Sequence, residues 1–333
     1  MAISTHAAGN ARGAGLAKAL RRHPSLNILL VFLALQIVCI AASLLMPNDF
    51  RYLSTPNIET LLRAVPQLGI IALGVGILMV AGEFDLSVGA VFTFSALIMA
   101  DVYNAGAPLP VALGAAIAVA LAVGFVNGIL VLRFAITSFI ATLGTMMMLR
   151  GIVLFISNAQ SSSFRPSEAF QALVAGQVGF VPAQFIWLVG FTIAAYLLLE
   201  RHRFGNRIFA VGGSRDAANA VGVQVNRVKL AAFMLSSVSA SIAGIISTTR
   251  VNSVSPIQGQ GLELQAIAAC VIGGVALTGG RGSVLGMFLG AALIYTVQDI
   301  LLLTAAPGYY LDAFVGLIIV VAAILNRHVL RQE

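Results

Sequence analysis

Charged residues are scarce in this chain, and their scarcity excludes a water-soluble fold. Asp, Glu, Lys and Arg make up 9% of its 333 residues, whereas a typical soluble domain carries about 25%. So few charges cannot cover a water-facing surface of this size, and apolar types reach 59% with a mean hydropathy of +0.98. Lipid must therefore replace water as the solvent over most of the surface.

Cysteine, histidine and lysine are also rare. The two cysteines, Cys39 and Cys270, both lie in apolar runs and offer neither a disulfide framework nor a metal cluster. The four histidines lie outside the apolar runs, so no catalytic histidine is predicted within the membrane. No Gly-Lys pair occurs, which excludes a P-loop for ATP. The sequence therefore predicts no metal, no cofactor and no enzymatic activity of its own.

Long apolar runs are abundant and predict an all-α fold, a polytopic membrane helix bundle with about ten transmembrane helices. A transmembrane helix needs about 20 largely apolar residues, and the third, eighth and tenth runs are short by this measure. The ten runs cover 26–46, 60–81, 88–101, 108–132, 137–156, 183–200, 229–249, 263–278, 284–303 and 310–326.

Basic residues are unevenly distributed over this topology. If the N-terminus is cytoplasmic, fourteen of the 19 Lys and Arg residues lie in cytoplasmic segments, as the positive-inside rule requires. Ten spans then place both termini in the cytoplasm, as tails over 1–25 and 327–333. Between them lies one transmembrane domain over 26–326, which includes a cytoplasmic loop over 201–228. The net charge of +7 follows from this orientation, and no motif predicts a nucleic-acid partner.

Glycine is plentiful, and its spacing predicts close helix packing. The segments Gly124 to Gly128 and Gly286 to Gly290 are small-xxx-small patterns, which let helix backbones approach each other in lipid. The chain also contains a candidate internal repeat. A shift of 196 residues aligns 68–98 with 264–294, with ten identities in 31 positions, and internal repeats are common in transporters.

The first polar segment in the apolar background is Gly82-Glu-Phe-Asp-Leu-Ser-Val-Gly89. It places Glu83 and Asp85 at the junction of two apolar runs. Ionisable groups at membrane depth mark a pathway or a mechanical contact. A short cytoplasmic turn in which Asp85 caps the next helix fits the residues equally well.

The second polar segment runs from Glu200 to Lys229 and is the only extended charged loop on the predicted cytoplasmic side. Within it, Ser214 is placed to cap a short helix that continues to Ala220 and ends at Gly222. Such a helix on the cytoplasmic face is a docking element, and the alternative is a solvated linker. Two glycine-marked ends around a helix-forming centre favour docking.

The third segment, 273–286, is a glycine-rich turn that carries Arg281. Glycine-rich loops bind phosphate in some proteins. Because the GxxxxGK[ST] pattern is absent, a tight cytoplasmic turn is the better interpretation.

Together these segments resemble the permease subunits of bacterial binding-protein-dependent sugar importers, the ribose/xylose/galactose branch of the ABC superfamily. The resemblance covers about 60–325. The family often has Gly-Ile before the aspartate, where this chain has Glu83-Phe84, so the substrate stays open. Branched-chain amino-acid permeases are related but usually lack Asp-Leu-Ser-Val-Gly. The matching motifs are Asp85-Leu-Ser-Val-Gly89, Ser138-Phe-Ile-Ala-Thr-Leu143 with Leu149-Arg-Gly151, Gly205 with Ala210-Val-Gly-Gly213, Ala217 through Gly222-Val223 with Asn226, and Ala266-Ile-Ala-Ala269 through Gly273-Gly274 to Gly279-Gly-Arg-Gly282.

The resemblance implies a bacterial inner-membrane protein that works with partners. These are an ABC ATPase subunit, a periplasmic sugar-binding protein and a second permease, either identical or a paralogue, in a lipid bilayer. The short helix becomes the coupling helix, with Arg215 and Asp216 making the charged contacts. The residues assigned to coupling are Gly212, Gly213, Ser214, Arg215, Asp216, Ala217, Ala220 and Gly222.

Polar residues near the spans are candidates for the translocation path or its gating, since a neutral sugar needs hydroxyl-matching groups. For each, a helix–helix hydrogen bond is an equal alternative. The outer loops 157–182 and 252–263 are predicted to face the binding protein. Arg150 is predicted either to snorkel or to pair with an acid such as Asp101. The candidate path residues are Asp85, Ser87, Asn127, Thr142 and Gln265.

Two other classes share this composition. An ion-coupled secondary transporter usually needs a central ionisable site, but the clear acids here sit at span ends. An integral-membrane enzyme needs a catalytic constellation, and none is placed for chemistry. The permease interpretation is therefore preferred.

Overall fold

The computed structural model describes residues 24–330, and helices dominate this part of the chain. The described helices are α1 Pro24–Leu45, α2 Thr55–Val80, α3 Val88–Asn104, α4 Leu109–Arg133, α5 Ser138–Ser157, α6 Glu168–Ala175, α7 Ala183–Tyr196 with a π-helical continuation over Leu197–Arg201, α8 Arg203–Gly213, α9 Arg215–Ala220, α10 Val225–Val251, α11 Leu262–Ile272, α12 Val284–Leu303 and α13 Tyr309–Leu330. Four two-residue strands form two antiparallel pairs, β1 Ser162–Ser163 with β4 Ser253–Val254, and β2 Gln177–Val178 with β3 Val181–Pro182.

The predicted polytopic helical bundle is confirmed. Within residues 24–330, seven helices are long and apolar enough to cross a membrane: α1, α2, α4, α5, α7 with its π-helical turn, α10 and α12. The apolar helices α3 and α11 have 17 and 11 residues. At 1.5 Å per residue, α11 reaches only about half of a ~30 Å hydrocarbon core. The finer count of ten crossings, and the side on which the termini lie, stay predictions.

The centre of the bundle is α2, which packs against α10, α11, α12 and α7. Nearly every residue of α2 from Val65 to Val80 is buried. Small residues allow the close contacts, as their spacing predicts. A Cβ on Gly124 of α4 would lie 2.8 Å from the Met234 Cα of α10, and a Cβ on Gly290 of α12 would overlap the Ala269 carbonyl oxygen of α11.

The candidate repeat aligns the helix pair α2–α3 with the pair α11–α12, although α2 has 26 residues and α11 has 11. Helix α3 begins at Val88 after Ser87, and α12 begins at Val284 after Ser283, so both start at equivalent positions of the 196-residue shift. Helix α2 also packs directly against both α11 and α12. The two aligned segments therefore share the start of their second helix, and the repeat stays a prediction.

Hydrogen bonds between loops define two ends of the bundle. At one end, Lys229 pairs with Glu83, Gly280 N–H donates to Val80, and Phe84 N–H donates to Ser138. We call this the basic end; it comprises 81–87, 134–137, 201–224 and 273–283. At the other end, β1 pairs with β4, and the Asn104 amide donates to the Ser163 carbonyl.

Candidate functional site

The three polar segments singled out in the sequence meet at the basic end. Their contact is made by backbone: the Gly280 N–H donates to the Val80 carbonyl at 2.8 Å. A Cβ on Gly212 would overlap that same Val80 oxygen and lie 2.6 Å from the Gly280 nitrogen. A Cβ on Gly279 would lie 2.7 Å from the Gly82 Cα. We call these four residues, Gly82, Gly212, Gly279 and Gly280, the glycine cluster.

Two properties of glycine are used in this cluster. Gly82, Gly279 and Gly280 have φ of 81°, 84° and 74°, a left-handed conformation that other L-residues rarely adopt. Gly212 does not have a positive φ. Glycine is required there because the backbone of the turn after α2 lies so close to the end of α8 that a side chain would not fit between them.

The predicted short helix exists as α9, Arg215–Ala220. Ser214 caps it, with its Oγ accepting a hydrogen bond from the Ala217 N–H at 3.3 Å. Gly222, with φ of 81°, ends the following turn. Within the helix only Ala218 is buried, so α9 presents most of its surface to solvent.

Basic side chains surround α9. An open cleft of about 510 Å³ lies beside it and is lined by Arg207, Arg227 and Phe204, among others. A second cleft of about 320 Å³ is lined by Arg215, Arg227 and Asn219. Together these side chains give the exposed surface around α9 a positive charge, interrupted by Asp216.

Asp85 lies at the centre of a buried polar network. Its Oδ1 accepts hydrogen bonds from the Ser87 N–H at 2.9 Å and the Ser87 Oγ at 2.6 Å, and its Oδ2 accepts one from Ser236 Oγ at 3.0 Å. Asn127 Nδ2 donates to Ser87 Oγ at 2.9 Å, and Thr145 Oγ1 donates to Asn127 Oδ1 at 2.7 Å. The chain of donors ends on the Asp85 carboxyl group, which accepts three hydrogen bonds.

The rest of the segment 81–87 is held by three more contacts. Leu86 N–H donates to Thr142 Oγ1 at 3.0 Å, and Phe84 N–H donates to Ser138 Oγ at 3.2 Å. Glu83 pairs with Lys229 at 2.5 Å, with both side chains largely buried. Helices α4, α5 and α10 therefore fix this segment from three sides.

The structure places this segment inside the bundle. Asp85 is fully buried, so the segment is not a solvated turn. Asp85 Oδ1 accepts a hydrogen bond from the Ser87 N–H, two residues further on and immediately before α3, which is the spacing of a helix cap. A pathway or mechanical role for this segment stays a prediction.

The candidate path residues divide into two groups. Asp85, Ser87, Asn127 and Thr142 are fully buried; the first three belong to one hydrogen-bonded network, and Thr142 accepts a hydrogen bond from the neighbouring Leu86 N–H. Gln265 is partly buried on α11, outside that network. Sequence reasoning missed Ser138, Thr145 and Ser236. For the first two a signal existed, since Ser138, Thr142 and Thr145 are spaced i, i+4, i+7 on one face of α5.

Arg150 forms an ion pair that the sequence interpretation did not name. It binds Glu263, at the start of α11, at 2.8 Å. The predicted alternative of pairing with an acid is thus confirmed, but the acid is not Asp101, which accepts a hydrogen bond from Ser162 Oγ at 3.1 Å near the C-terminal end of α3. Among residues 24–330, no group of three or more His, Cys, Asp or Glu side chains is placed to hold a metal.

The fold and this site define a multi-pass membrane protein with a capped helix displayed at one end. The chain belongs to the family described as branched-chain amino acid transport system / permease component, whose profile matches residues 57–323. The predictions of a permease and of a multi-pass inner-membrane protein are thereby confirmed.

Curated relatives cover most of the chain. It is 34% identical over 297 residues to the ribose import permease protein RbsC of Bacillus subtilis, covering 89% of this chain and 91% of that protein. It is 32% identical over 299 residues to RbsC of Escherichia coli, covering 89% and 92%. It is 31% identical over 293 residues to the autoinducer 2 import system permease protein LsrC of Escherichia coli, covering 86% and 85%. No solved structure gave a significant match.

Proposed function

We propose that this chain is the transmembrane subunit of an ABC importer for a small sugar of the pentose or hexose class. It passes the sugar from a periplasmic binding protein into the cytoplasm, and a separate ATPase subunit supplies the energy. The observation that carries the proposal is the alignment with two ribose import permeases over 91% and 92% of their length. Because the alignment covers nearly the full length of these permeases, it supports the same membrane architecture for this chain.

Coupling to the ATPase is assigned to α9 and its flanks. The helix is exposed, is fixed at its start by the Ser214 cap, and carries Arg215 and Asp216 on its surface. The sequence has no P-loop, so hydrolysis belongs to the partner. We therefore call residues 201–228 the coupling loop.

Gating is assigned to the buried segment 81–87. Asp85, Ser87, Asn127 and Thr142 hold this segment between α4, α5 and α10, so they act through its position. Gln265 on α11 remains a candidate path residue. The proposed domain layout has a transmembrane unit over 26–326, with cytoplasmic tails over 1–25 and 327–333 that lie largely outside the described residues.

A second permease, identical or paralogous, completes the proposed translocation unit. Helix α5 is the candidate contact; lipid covers an apolar face such as the one that includes Phe139, Ile140, Met147 and Phe155, so the apolar residues alone do not select a partner. The same helix carries Arg150, whose side chain is 31% exposed. A charged group is costly against lipid, so we place a second subunit rather than lipid alone over this region.

Import of a branched-chain amino acid is the second candidate. The description of the matching family names these substrates. The named relatives import ribose or autoinducer 2, and the chain carries the Asp85-Leu-Ser-Val-Gly89 motif. Both observations favour the sugar.

Reconstitution tests the proposal. The tagged chain is purified with its native partners from gently solubilised membranes and placed in liposomes with the binding protein. We expect ATP-driven uptake of labelled ribose, xylose or galactose that resists a protonophore and stops with a non-hydrolysable ATP analogue. Leucine uptake under the same conditions would establish the amino-acid alternative. Uptake that needs only an ion gradient, by a chain that purifies alone, would overturn the importer.

A further inference from the structure

The two ends of the coupling loop are each attached to a different turn of the bundle. At its start, Glu200 Oε1 accepts a hydrogen bond from the Val284 N–H at 3.0 Å, at the N-terminus of α12. A carboxylate is favourable there because the N-terminus of a helix carries a partial positive charge. At its end, Lys229 pairs with Glu83 in the turn after α2.

The middle of the same loop touches both turns at once. Gly212 lies against the Val80 carbonyl and the Gly280 nitrogen, and those two groups are hydrogen-bonded to each other. Three backbone segments therefore meet at one point without an intervening side chain. Gly212 is two residues before the Ser214 cap of α9.

The two turns occupy equivalent positions in the internal repeat. A shift of 196 residues brings the segment 81–87 onto 277–283, and Val88 onto Val284. Each turn leads into the second helix of its repeat unit, α3 or α12. The coupling loop thus contacts both units of the candidate repeat in corresponding turns, at positions that differ between the two turns.

We propose that Gly212 is a positioning residue that joins α9 rigidly to both repeat units, so that a displacement of α9 moves α2–α3 and α11–α12 together. The inference rests on the proposed function and names the contact through which the ATPase would act. Side chains yield by changing rotamer, whereas packed backbone segments pass a displacement on with little loss. The glycine cluster makes the second kind of contact possible.

Gly212→Ala tests the contact, and Gly190→Ala on α7, outside the coupling loop, is the control. The added Cβ at 212 meets backbone of two other segments, while at 190 nothing lies within 4 Å. Neither residue has a positive φ, so alanine is tolerated by the local backbone at both. In the reconstituted complex we expect Gly212→Ala to lower sugar uptake per ATP hydrolysed by about tenfold. Gly190→Ala should keep the wild-type ratio.

The ratio of sugar uptake to ATP hydrolysis separates a coupling defect from a stability defect. Partial misfolding lowers uptake and substrate-stimulated hydrolysis in parallel, so it leaves this ratio unchanged. Wild-type coupling in Gly212→Ala, or an equal loss in Gly190→Ala, would overturn the proposal. Failure of the unsubstituted complex to import sugar with ATP contradicts the proposed function instead.

A second measurement needs no substitution and decides the matter if Gly212→Ala does not assemble. Hydrogen exchange is followed in the peptide that contains Gly280, in the nucleotide-free and ATP-bound complexes. A rigid contact keeps the Gly280 amide bonded to Val80, so protection should persist in both states. Loss of protection in either state would show a flexible connection and overturn the proposal.

Discussion

At the scale of single residues, the segment 81–87 depends on buried polar partners. Asp85 accepts three hydrogen bonds, and the donors from Ser87, Asn127 and Thr145 form a continuous chain. Each group in such a chain is costly to leave unpaired, since it has lost its hydration. The network therefore specifies one position for this segment within the bundle.

Asp85→Asn tests that dependence. The amide brings two N–H donors to a place where hydroxyl and amide donors already point inward, so at least one buried donor loses its partner. We expect a loss of about 1–3 kcal/mol of stability, measured as a lower unfolding temperature in detergent. Asp49 is exposed, and Asp49→Asn serves as the control. Equal unfolding temperatures for the two variants would contradict the network's role.

The Lys229–Glu83 pair permits a double-mutant cycle. Its side chains are 10% and 14% exposed, so Glu83→Gln leaves a largely buried, uncompensated ammonium and should cost about 3 kcal/mol. Adding Lys229→Gln should recover part of that loss. The control pair is Glu59 and Arg63, which are 33% and 28% exposed with N and O 4.0 Å apart. There we expect less than about 1 kcal/mol, and additive effects at both pairs would refute the coupling.

At the scale of elements, the sequence predicted the individual helices and turns better than it predicted the contacts between them. The apolar runs, the Ser214 cap of α9 and the glycine pairs of α4 and α12 follow from local patterns, and the structure has them. The contact among Val80, Gly212 and Gly280 joins residues far apart in the chain, and no periodicity encodes such a contact. Arg150 likewise pairs with an acid 113 positions away, whereas sequence reasoning selected a nearer one.

A substitution on the exposed surface of α9 tests its proposed role in coupling. Arg215 and Asp216 are both exposed, so replacing them with alanine should leave folding and membrane insertion unchanged. We expect Arg215→Ala with Asp216→Ala to abolish uptake, because the charged contacts to the ATPase are lost. Arg215→Lys with Asp216→Glu keeps both charges and should retain much of the uptake. Normal uptake in the alanine variant would remove α9 from the coupling mechanism.

At the scale of the whole molecule, the charge distribution and the contacts between loops agree. The coupling loop, with its several arginines, and the turns 81–87 and 273–283 lie at the basic end. The paired strands β1 and β4 lie at the other end. Basic loops are retained on the cytoplasmic side during insertion, so the basic end should be cytoplasmic.

Cysteine labelling in intact cells tests this orientation with little background. The native Cys39 and Cys270 are 2% and 0% exposed, so a membrane-impermeant maleimide should leave the unsubstituted chain unlabelled. Ser161 and Ser214 are exposed at opposite ends of the bundle. We expect Ser161→Cys to react once the reagent can enter the periplasm, and Ser214→Cys to react only after the inner membrane is opened. The reverse pattern would invert the topology and place α9 beyond the reach of a cytoplasmic ATPase, so the coupling proposal depends on this result.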